Sequence, residues 1–402
     1  MSQSVLVINC GSSSIKFALY PSSDSSAPSI KALAERLGEQ QPLLTIKSAD
    51  AQENNTNTNT VLELDPGAAH KEALSAFMDQ CQSALSQLAG IGHRIVHGGE
   101  SFSASTLLDD NSIAQLKQVS DLAPLHNPVN LLGVELCQQL QPGVPNVAVF
   151  DTAFHQTIPE STYLYAVPYD WYQNAGVRRY GFHGTSYRYV AQETARRLQQ
   201  PADSLNLLIA HLGNGCSACA IAQGKSVDTT MGLTPLEGMV MGSRSGDIDP
   251  SLIDYMVNHK GKTLEQVSND LIRNSGLKGL SQLSNDMRSL LEAEAEGHEG
   301  AKRAIDVFCF RVARQLAALS TSLSSIDAIV FTGGIGEHAS EVRRRILASW
   351  RNLGCRLDAE LNQQNGDDTG RISAEGTQRI MVVATDEELM IAQDTYQQVT
   401  HD

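Results

Sequence analysis

One pattern of residues occurs twice in this chain, and it limits the folds that the chain can adopt. Residues 6–12 and 208–214 each consist of an apolar strand, a polar residue, a spacer, a glycine and a small polar residue. The two copies lie about 200 residues apart in a chain of 402 residues. A match at that spacing indicates a duplicated unit in two similar lobes. The chain is also long enough for two domains of ordinary size.

Strands alternate with helices along the rest of the chain, which indicates an α/β fold. Short apolar runs predict strands over residues 91–96, 146–150, 205–210, 216–221 and 326–331. Apolar residues at spacings of three and four predict helices over residues 68–90, 112–122 and 129–140. Residues 21–60 show no clear pattern, and the Asn- and Thr-rich tract at 54–60 is predicted to be an exposed loop tip.

The charge of the chain excludes several classes of partner. Its 30 basic and 45 acidic residues give a formal net charge of −15 at pH 7. A field of that sign repels nucleic acid and anionic lipid, so neither a nucleic acid nor a membrane is expected as a partner. No apolar segment approaches the roughly 18 residues that a spanning helix needs. Seven cysteines at scattered spacings favour a reduced, cytoplasmic protein over a disulfide framework or a metal site.

Three glycine-containing loops directly follow predicted strands, at residues 9–16, 211–215 and 332–337. Glycine permits positive φ and lets backbone amides approach an anion closely. The first loop adds three serine hydroxyls and the Lys16 ammonium, which suit terminal phosphates. A tight turn is the alternative for any one loop, but three together favour a nucleotide site. Neither a Walker-type nor a Rossmann-type glycine motif is present.

Two arginines lie in glycine-rich surroundings, Arg94 in residues 93–99 and Arg244 in residues 242–247. A guanidinium binds carboxylate or phosphate oxygens in a bidentate manner. In a strongly acidic protein, such arginines are consistent with a local anion pocket. A structural salt bridge is the alternative for either one.

Two histidines and three carboxylates complete the set of candidate groups. His183 and His126 lie in loops, where an imidazole can donate to a phosphoryl oxygen or simply stabilise a turn. Asp151, Asp286 and Glu387 are predicted at strand ends or loop starts. Such carboxylates can hold Mg²⁺, which takes one or two of them together with phosphate oxygens and waters.

Nine ordered motifs cover the chain nearly from end to end, at residues 9–17, 93–99, 124–128, 150–155, 179–186, 211–215, 242–250, 331–337 and 385–388. Together they resemble the acetate and propionate kinase family, within the superfamily of actin-like proteins, sugar kinases and heat-shock chaperone ATPases. The resemblance implies two duplicated actin-like or ribonuclease-H-like lobes with mixed sheets and a cleft between them. It assigns residues 1–152 and a returning segment 386–402 to an N-terminal lobe, and residues 153–385 to a nucleotide-binding C-terminal lobe.

The resemblance also implies the reaction, a reversible transfer of the γ-phosphoryl group of ATP to a short-chain carboxylate. It further implies which residues take part in this reaction. The residues implied in catalysis are Arg94, Asp151, His183, Arg244 and, in support, His126. Those implied near the nucleotide and its phosphates are Asn9, Ser12, Ser14, Lys16, His211, Gly213, Asn214, Gly215, Asp286, Met287, Arg288, Gly333, Gly334, Ile335 and Gly336. The metal, Mg²⁺ with Mn²⁺ as an alternative, is assigned to Asn9 and Glu387.

The substrate pocket implied by the resemblance is lined by Arg94, Val96, Leu125, Phe182 and Pro235. Each apolar member could equally be ordinary core. A small pocket discriminates one methylene by only roughly 1–3 kcal/mol, so acetate is expected first and propionate is a serious competitor. The resemblance further implies a homodimer.

The chemistry of the substrate limits the role of Asp151. A carboxylate is already ionised at pH 7, so no general base is needed, and catalysis is positioning plus charge neutralisation. Asp151 is therefore expected to act on Mg²⁺, on its water shell or on an arginine. Another kinase of the superfamily, or a non-catalytic nucleotide sensor on the same fold, is the rival interpretation.

Overall fold

The structure is a computed structural model that describes residues 3–48, 58–352 and 354–400. Residues 54–57 of the Asn- and Thr-rich tract therefore lie outside the described part. The chain divides into two compact units. The N-terminal unit runs to Phe154 and resumes at Asp386, and the C-terminal unit is His155–Thr385.

The described strands belong to one sheet in each unit. They are β1 Ser4–Cys10, β2 Ser14–Tyr20, β3 Ile30–Glu35, β4 Leu43–Ser48, β5 Thr58–Glu63, β6 Leu88–Ile95, β7 Thr106–Leu107, β8 Asn146–Phe150, β9 Asn206–Leu212, β10 Cys216–Ala222, β11 Lys225–Thr229, β12 Ala328–Thr332 and β13 Ile380–Val382. The strand orders are β5-β4-β3-β2-β1-β6-β8-β7 in the N-terminal unit and β11-β10-β9-β12-β13 in the C-terminal unit.

Helices surround the sheets of both units. The α-helices are α1 His70–Gln80, α2 Asp110–Gln118, α3 Asn127–Leu140, α4 Glu160–Tyr163, α5 Tyr169–Ala175, α6 Gly184–Leu198, α7 Ser251–Lys260, α8 Leu264–Arg273, α9 Gly276–Ser281, α10 Met287–Ala295, α11 Glu299–Leu319, α12 Gly333–His338, α13 Ser340–Ser349, α14 Ala359–Gln363 and α15 Glu387–Thr400. In the part of the chain that the structure describes, no helix combines the length and the apolar character needed to cross a membrane.

The two sheets contain the same five-stranded arrangement. Strand β1 pairs antiparallel with β2 and parallel with β6, and β9 pairs antiparallel with β10 and parallel with β12. The outer pairs also correspond, since β2–β3 and β10–β11 are antiparallel while β6–β8 and β12–β13 are parallel. The predictions of an α/β fold, of mixed sheets and of a duplicated unit are therefore confirmed.

Parallel pairing brings three strand ends of the N-terminal unit to one edge of its sheet. Ile8 is paired with His93, and Ile95 is paired with Phe150. Asp151 continues from this edge, and its backbone amide donates to the Ile95 carbonyl over 3.0 Å. The residues that follow β1, β6 and β8 therefore emerge side by side.

Residues 21–60 show no clear sequence pattern, yet β3, β4 and the start of β5 lie within them. The loop-tip prediction fails for Thr58–Thr60, which pair with β4 in antiparallel register. Strand β5 is at the edge of the sheet, and its residues 59–61 are exposed. An exposed edge strand has no buried face to impose alternation, so its polar sequence resembles that of a loop. The helix predicted over 68–90 is also shorter, because α1 ends at Gln80 and β6 begins at Leu88.

Helix α15 lies directly against strand β6, where glycines replace side chains. A Cβ atom on Gly92 would overlap the Thr395 hydroxyl oxygen and would lie 2.8 Å from Cγ2 of Ile391. A Cβ atom on Gly90 would lie 2.9 Å from the Val399 side chain. This close approach fixes α15, and therefore Glu387 at its first turn, on the sheet of the N-terminal unit.

We predict that Gly92→Ala destabilises the N-terminal unit by about 1–3 kcal/mol, because the added methyl group overpacks the contact with α15. The measurement is urea unfolding followed by circular dichroism. Adding Thr395→Ala removes the overlapped hydroxyl and should recover part of the loss. Fully additive destabilisation in the double variant would contradict this account.

Candidate active site

A buried ion pair lies at the sheet edge of the N-terminal unit. Arg94 Nε donates to Asp151 Oδ1 over 2.9 Å, and Arg94 Nη2 donates to Asp151 Oδ2 over 2.6 Å. Arg94 Nη1 also donates to the Asn9 amide oxygen over 3.4 Å. The Asp151 side chain is only 2% exposed, whereas the Arg94 side chain is 23% exposed. Both oxygens of Asp151 are therefore engaged, while Arg94 reaches the surface.

Burial and pairing act against each other on the protonation of this pair. Burial raises the pKa of Asp151 above its ordinary value, and the Arg94 guanidinium opposes that rise. Burial works to lower the pKa of Arg94, but the Asp151 and Glu387 carboxylates raise it above its ordinary value overall. Arg94 is thus a permanent cation whose orientation Asp151 sets.

Glu387, at the start of α15, has an unsatisfied carboxylate oxygen. Its Oε1 is buried and has no hydrogen-bond partner among the residues that the structure describes. It interacts electrostatically with both Arg94 and Asp151. An orphaned buried acceptor is costly unless a ligand satisfies it.

The groups around Glu387 fit Mg²⁺ rather than a metal held by protein ligands alone. The described residues contain no cluster of three His, Cys, Asp or Glu side chains that could hold a metal. Mg²⁺ commonly takes one or two carboxylates and completes its shell with phosphate oxygens and waters. The free Glu387 oxygen and the Asn9 amide oxygen supply that type of donor.

Helix α3 fixes the loops beside this site through two asparagines that the sequence interpretation did not include. The Asn130 side chain accepts from the Val96 amide over 3.1 Å and donates to the Cys10 carbonyl over 2.8 Å. Asn127 makes the corresponding pair of bonds to the amide and carbonyl of His97, at 3.1 and 2.8 Å. Asn127 lies within the motif at residues 124–128, and the spacing of three residues along one helix face is a signal that could have indicated Asn130.

His126, predicted in support, directly precedes α3. In its protonated form, His126 opposes the rise in the pKa of the Asp151 carboxyl. His126 therefore belongs to the electrostatic surroundings of the ion pair.

The first glycine loop is the turn of the β1–β2 hairpin. The Gly11 amide donates to the Ser14 carbonyl over 2.8 Å, and the His70 ring donates to the Gly11 carbonyl over 2.7 Å. Ser12 and Lys16 are exposed, and Ser14 is half-buried. The hairpin alternative is thus correct for the backbone, and the Ser12 and Lys16 side chains remain exposed.

A second group of predicted residues meets in the C-terminal unit. His183 precedes α6, and its Nδ1 is 2.8 Å from the Ser217 hydroxyl. Its ring stacks on His211 with 4.3 Å between ring centroids. A Cβ atom on Gly215 would lie 3.6 Å from His183 Nε2 and 3.8 Å from Arg244 Nη1. His183, Arg244 and the second glycine loop are therefore neighbours.

A pocket of about 690 Å³ in the C-terminal unit contains the predicted adenosine-side residues. It is lined by Gly213, Asn214, Asn285, Asp286, Met287, Arg288, Leu291, Glu292, Gly334, Ile335, His338 and Ala339. The second and third glycine loops and the start of α10 therefore form one concave surface. Its volume is in the range of small-molecule sites.

Asp286 has a structural role in this pocket. Its carboxylate caps α10 by accepting from the Ser289 amide and hydroxyl, both over 2.8 Å, and these bonds lower its pKa. A capping carboxylate is stabilised in its charged form at a helix N-terminus. The cap fixes the first turn of α10, which carries Met287 and Arg288.

Glu337 organises the third glycine loop and is absent from the predicted set. Its Oε1 accepts from the Gly333 amide over 3.0 Å and from the Thr385 amide over 3.3 Å. Gly333 has a φ of +75°, and a Cβ atom there would lie 2.8 Å from the Leu212 carbonyl oxygen. Residues 333–338 form α12 rather than an open loop, with Gly336 inside it.

The residues proposed for the apolar end of the substrate differ in exposure. Val96 and Phe182 are buried, and Pro235 is half-buried and accepts from Arg244 Nη1 through its carbonyl over 3.1 Å. Leu125 is 55% exposed, so the alternative that it belongs to the core is wrong.

Comparisons with known proteins show the family of this chain. The model of the acetokinase family matches residues 4–393. The chain is 50% identical over 395 residues to a protein named acetate kinase from Stutzerimonas stutzeri, covering 98% of each chain. The chain belongs to the acetokinase family.

Solved structures of this family have the same fold. A propionate kinase from Francisella tularensis has a TM-score of 0.92 at 42% identity, covering 99% of this chain and all of that one. An acetate kinase from Porphyromonas gingivalis has a TM-score of 0.91 at 36% identity with the same coverage. The prediction of a phosphotransferase of the acetokinase family is confirmed.

We predict that Gly242→Ala weakens nucleotide binding in this acetokinase-family chain. A Cβ atom on Gly242 would overlap the side-chain oxygen of Asn214, which lines the pocket. Titration calorimetry with ADP should give a dissociation constant raised about tenfold, an order of magnitude typical for one displaced polar contact.

The control is Gly261→Ala, which imposes a side chain at a φ of +72° in open space. It should lower stability through backbone strain without changing ADP affinity. Equal affinities for the Gly242 variant and the unmodified protein would rule out a role for the Asn214 contact.

Proposed function

We propose that this chain transfers the γ-phosphoryl group of ATP directly to acetate, reversibly, giving acetyl phosphate and ADP. The observation that carries the proposal is the bidentate Arg94–Asp151 pair, in which a cation reaches the surface and the adjacent carboxylate has no free oxygen. Such a site suits a reaction that must neutralise anions but needs no proton abstraction.

Charge neutralisation is assigned to Arg94, Arg244 and His183. Arg94 uses three of its five N–H groups on Asp151 and Asn9, so two N–H groups are available to an anion. Arg244 and His183 are assigned to the oxygens of the transferring group, with His126 in support. Groups preorganised in this way stabilise charge that develops in the transition state.

Asp151 is assigned to positioning Arg94. Each of its oxygens already accepts from the guanidinium, so Glu387 Oε1, which accepts no such bond among the described residues, is the stronger candidate for direct contact with a metal. Mg²⁺, with Mn²⁺ as an alternative, would be held by the free oxygen of Glu387 with help from Asn9. When bound, the metal supplies positive charge to the phosphate oxygens.

The nucleotide is assigned to the pocket between α10 and α12. The glycines at 213, 215, 333, 334 and 336, with Asn214, Ile335 and His211, are assigned to the phosphates and their surroundings. Asp286, Met287 and Arg288 are assigned to the adenosine side. Ser12, Ser14 and Lys16 of the hairpin loop are assigned to the terminal phosphates.

Propionate is the second candidate substrate. The similarity to the Francisella tularensis propionate kinase favours it. Acetate and propionate differ by one methylene, and the apolar residues proposed for the pocket are Val96, Leu125, Phe182 and Pro235. A pocket of this kind separates the two acids by a factor of about 10 to 200 at most.

We also propose a cytoplasmic homodimer. All seven cysteines are free, which suits a reducing compartment. Val167, Tyr169 and Trp171 are each about half exposed on one short segment, and such apolar surface favours self-association. Light scattering of the purified chain decides the oligomeric state.

The experiment that tests the function measures initial rates with ATP and Mg²⁺ and traps acyl phosphate with hydroxylamine. We expect hydroxamate with acetate at the highest kcat/KM, less with propionate and least with butyrate. The matched control is Arg94→Ala, which should lose a factor of about 10² or more in turnover. Hydroxamate from none of the acids, despite ADP binding, would favour the non-catalytic nucleotide sensor.

Asp151→Asn and Glu387→Gln separate the positioning of Arg94 from metal binding. Asp151→Asn removes one acceptor of the bidentate pair and should lower kcat by about 10² through misorientation of Arg94. It should leave the half-saturating Mg²⁺ concentration nearly unchanged, whereas Glu387→Gln should raise it severalfold. The measurement is the reaction rate as a function of Mg²⁺ concentration. A raised half-saturating Mg²⁺ concentration in Asp151→Asn but not in Glu387→Gln would assign Asp151 to the metal.

A further inference from the structure

His155 is a fully buried histidine whose two ring nitrogens both have partners. Its Nε2 is 3.0 Å from the Phe182 carbonyl oxygen, and its Nδ1 is 2.7 Å from the Ser226 hydroxyl. Because a carbonyl can only accept, Nε2 carries the proton and Nδ1 accepts from Ser226. Burial lowers the pKa of His155 to about 4, so the ring is neutral near pH 7 and takes no part in proton transfer.

The carbonyl that His155 binds belongs to the peptide unit that precedes His183. The plane of this peptide determines φ of His183, which is +58°. This left-handed conformation is costly for a residue with a Cβ atom and persists only where the surroundings impose it. The bond from His155 fixes the peptide in the orientation that this φ requires.

Packing supports the same conclusion. A Cβ atom on Gly181 would lie 2.7 Å from the His155 ring, so the ring touches the backbone just before Phe182. The ring also makes an edge contact with Tyr187, at 5.7 Å between centroids. The Tyr187 hydroxyl is 2.5 Å from the Ser217 hydroxyl, which in turn binds His183 Nδ1.

His155 therefore supports both the backbone and the imidazole ring of His183. His155 binds the Phe182 carbonyl and so acts on the backbone of His183. His155 also contacts Tyr187, whose hydroxyl binds Ser217, and Ser217 binds the His183 ring. Neither His155 nor Ser226 lines the nucleotide pocket. A loss of this support should change how His183 is aimed without changing nucleotide affinity.

We propose that His155 is a positioning residue that holds His183 in its left-handed conformation and so aims its imidazole at the transferring phosphoryl group. The proposal rests on the role proposed above for His183. His155 itself does not touch substrate. Its contribution is preorganisation of a group that does.

The test is a double-mutant cycle between His155→Phe and His183→Ala. Alone, His155→Phe should lower kcat by about 10 to 10², with KM for ATP nearly unchanged, because a misplaced catalytic group costs turnover rather than binding. In the His183→Ala background the same change should have little further effect. His155→Gln, whose amide can still donate to the Phe182 carbonyl, should retain more activity than His155→Phe.

A control separates positioning from general destabilisation. Ser373 is buried in the same unit, and its hydroxyl accepts from the Ile380 amide over 3.1 Å. Ser373→Ala should lower the thermal midpoint and leave kcat unchanged. If His155→Phe does not fold, Ser226→Ala replaces it in the cycle, because it removes the bond to Nδ1 and keeps the ring.

The outcomes distinguish the two proposals. Equal losses from the His155 or Ser226 change in both backgrounds would overturn the positioning role while leaving the role of His183 intact. Full activity of His183→Ala alone would remove the role of His183 and the positioning role with it. If the His155 or Ser226 change lowers kcat only when His183 is present, the result supports both the role of His183 and the positioning role of His155.

Discussion

Parallel strand pairing is the constraint on which both candidate sites depend. In the N-terminal unit, the pairing of β1, β6 and β8 brings Asn9, Arg94 and Asp151 to one sheet edge. In the C-terminal unit, β9 and β12 pair in the same way, with His211 opposite Thr332. The carboxyl ends of parallel strands lie at the same edge of a sheet, so the loops that follow these strands lie close together. Duplication of this arrangement supplies two such edges from one topology.

The sequence predicted the strand ends and loops of these edges because they carry strong local signals. Apolar runs that stop at Gly, Asn or Asp mark buried strands and the turns that follow them. The strands β3 to β5 were not predicted, because edge and meander strands have mixed exposure. The partners of individual side chains were also not predicted. Asn130 could be assigned to the Val96 amide only after α3 was placed against the loop after β6.

Arg94 forms a salt bridge and is partly exposed, so the salt bridge does not exclude the proposed anion pocket. Asp151 occupies one edge of the guanidinium fork, and Asn9 occupies part of the other. An arginine without such a partner would sample many rotamers and would lose entropy on meeting its ligand. Under the proposed function, the ion pair restricts Arg94 before the substrate binds, and this contribution matters more than the net effect of the pair on stability.

The same pair explains why a divalent cation and the substrates should bind together. Arg94, Asp151 and Glu387 interact electrostatically, and one guanidinium with two carboxylates gives the cluster a net negative charge when His126 is neutral. ATP and acetate are both anions, so this cluster alone repels them. A divalent cation at the unsatisfied Glu387 oxygen would reverse the sign of the local charge and satisfy the orphaned acceptor at once. The apparent affinity for the metal should therefore rise with nucleotide, and the affinity for nucleotide should rise with metal by the same factor.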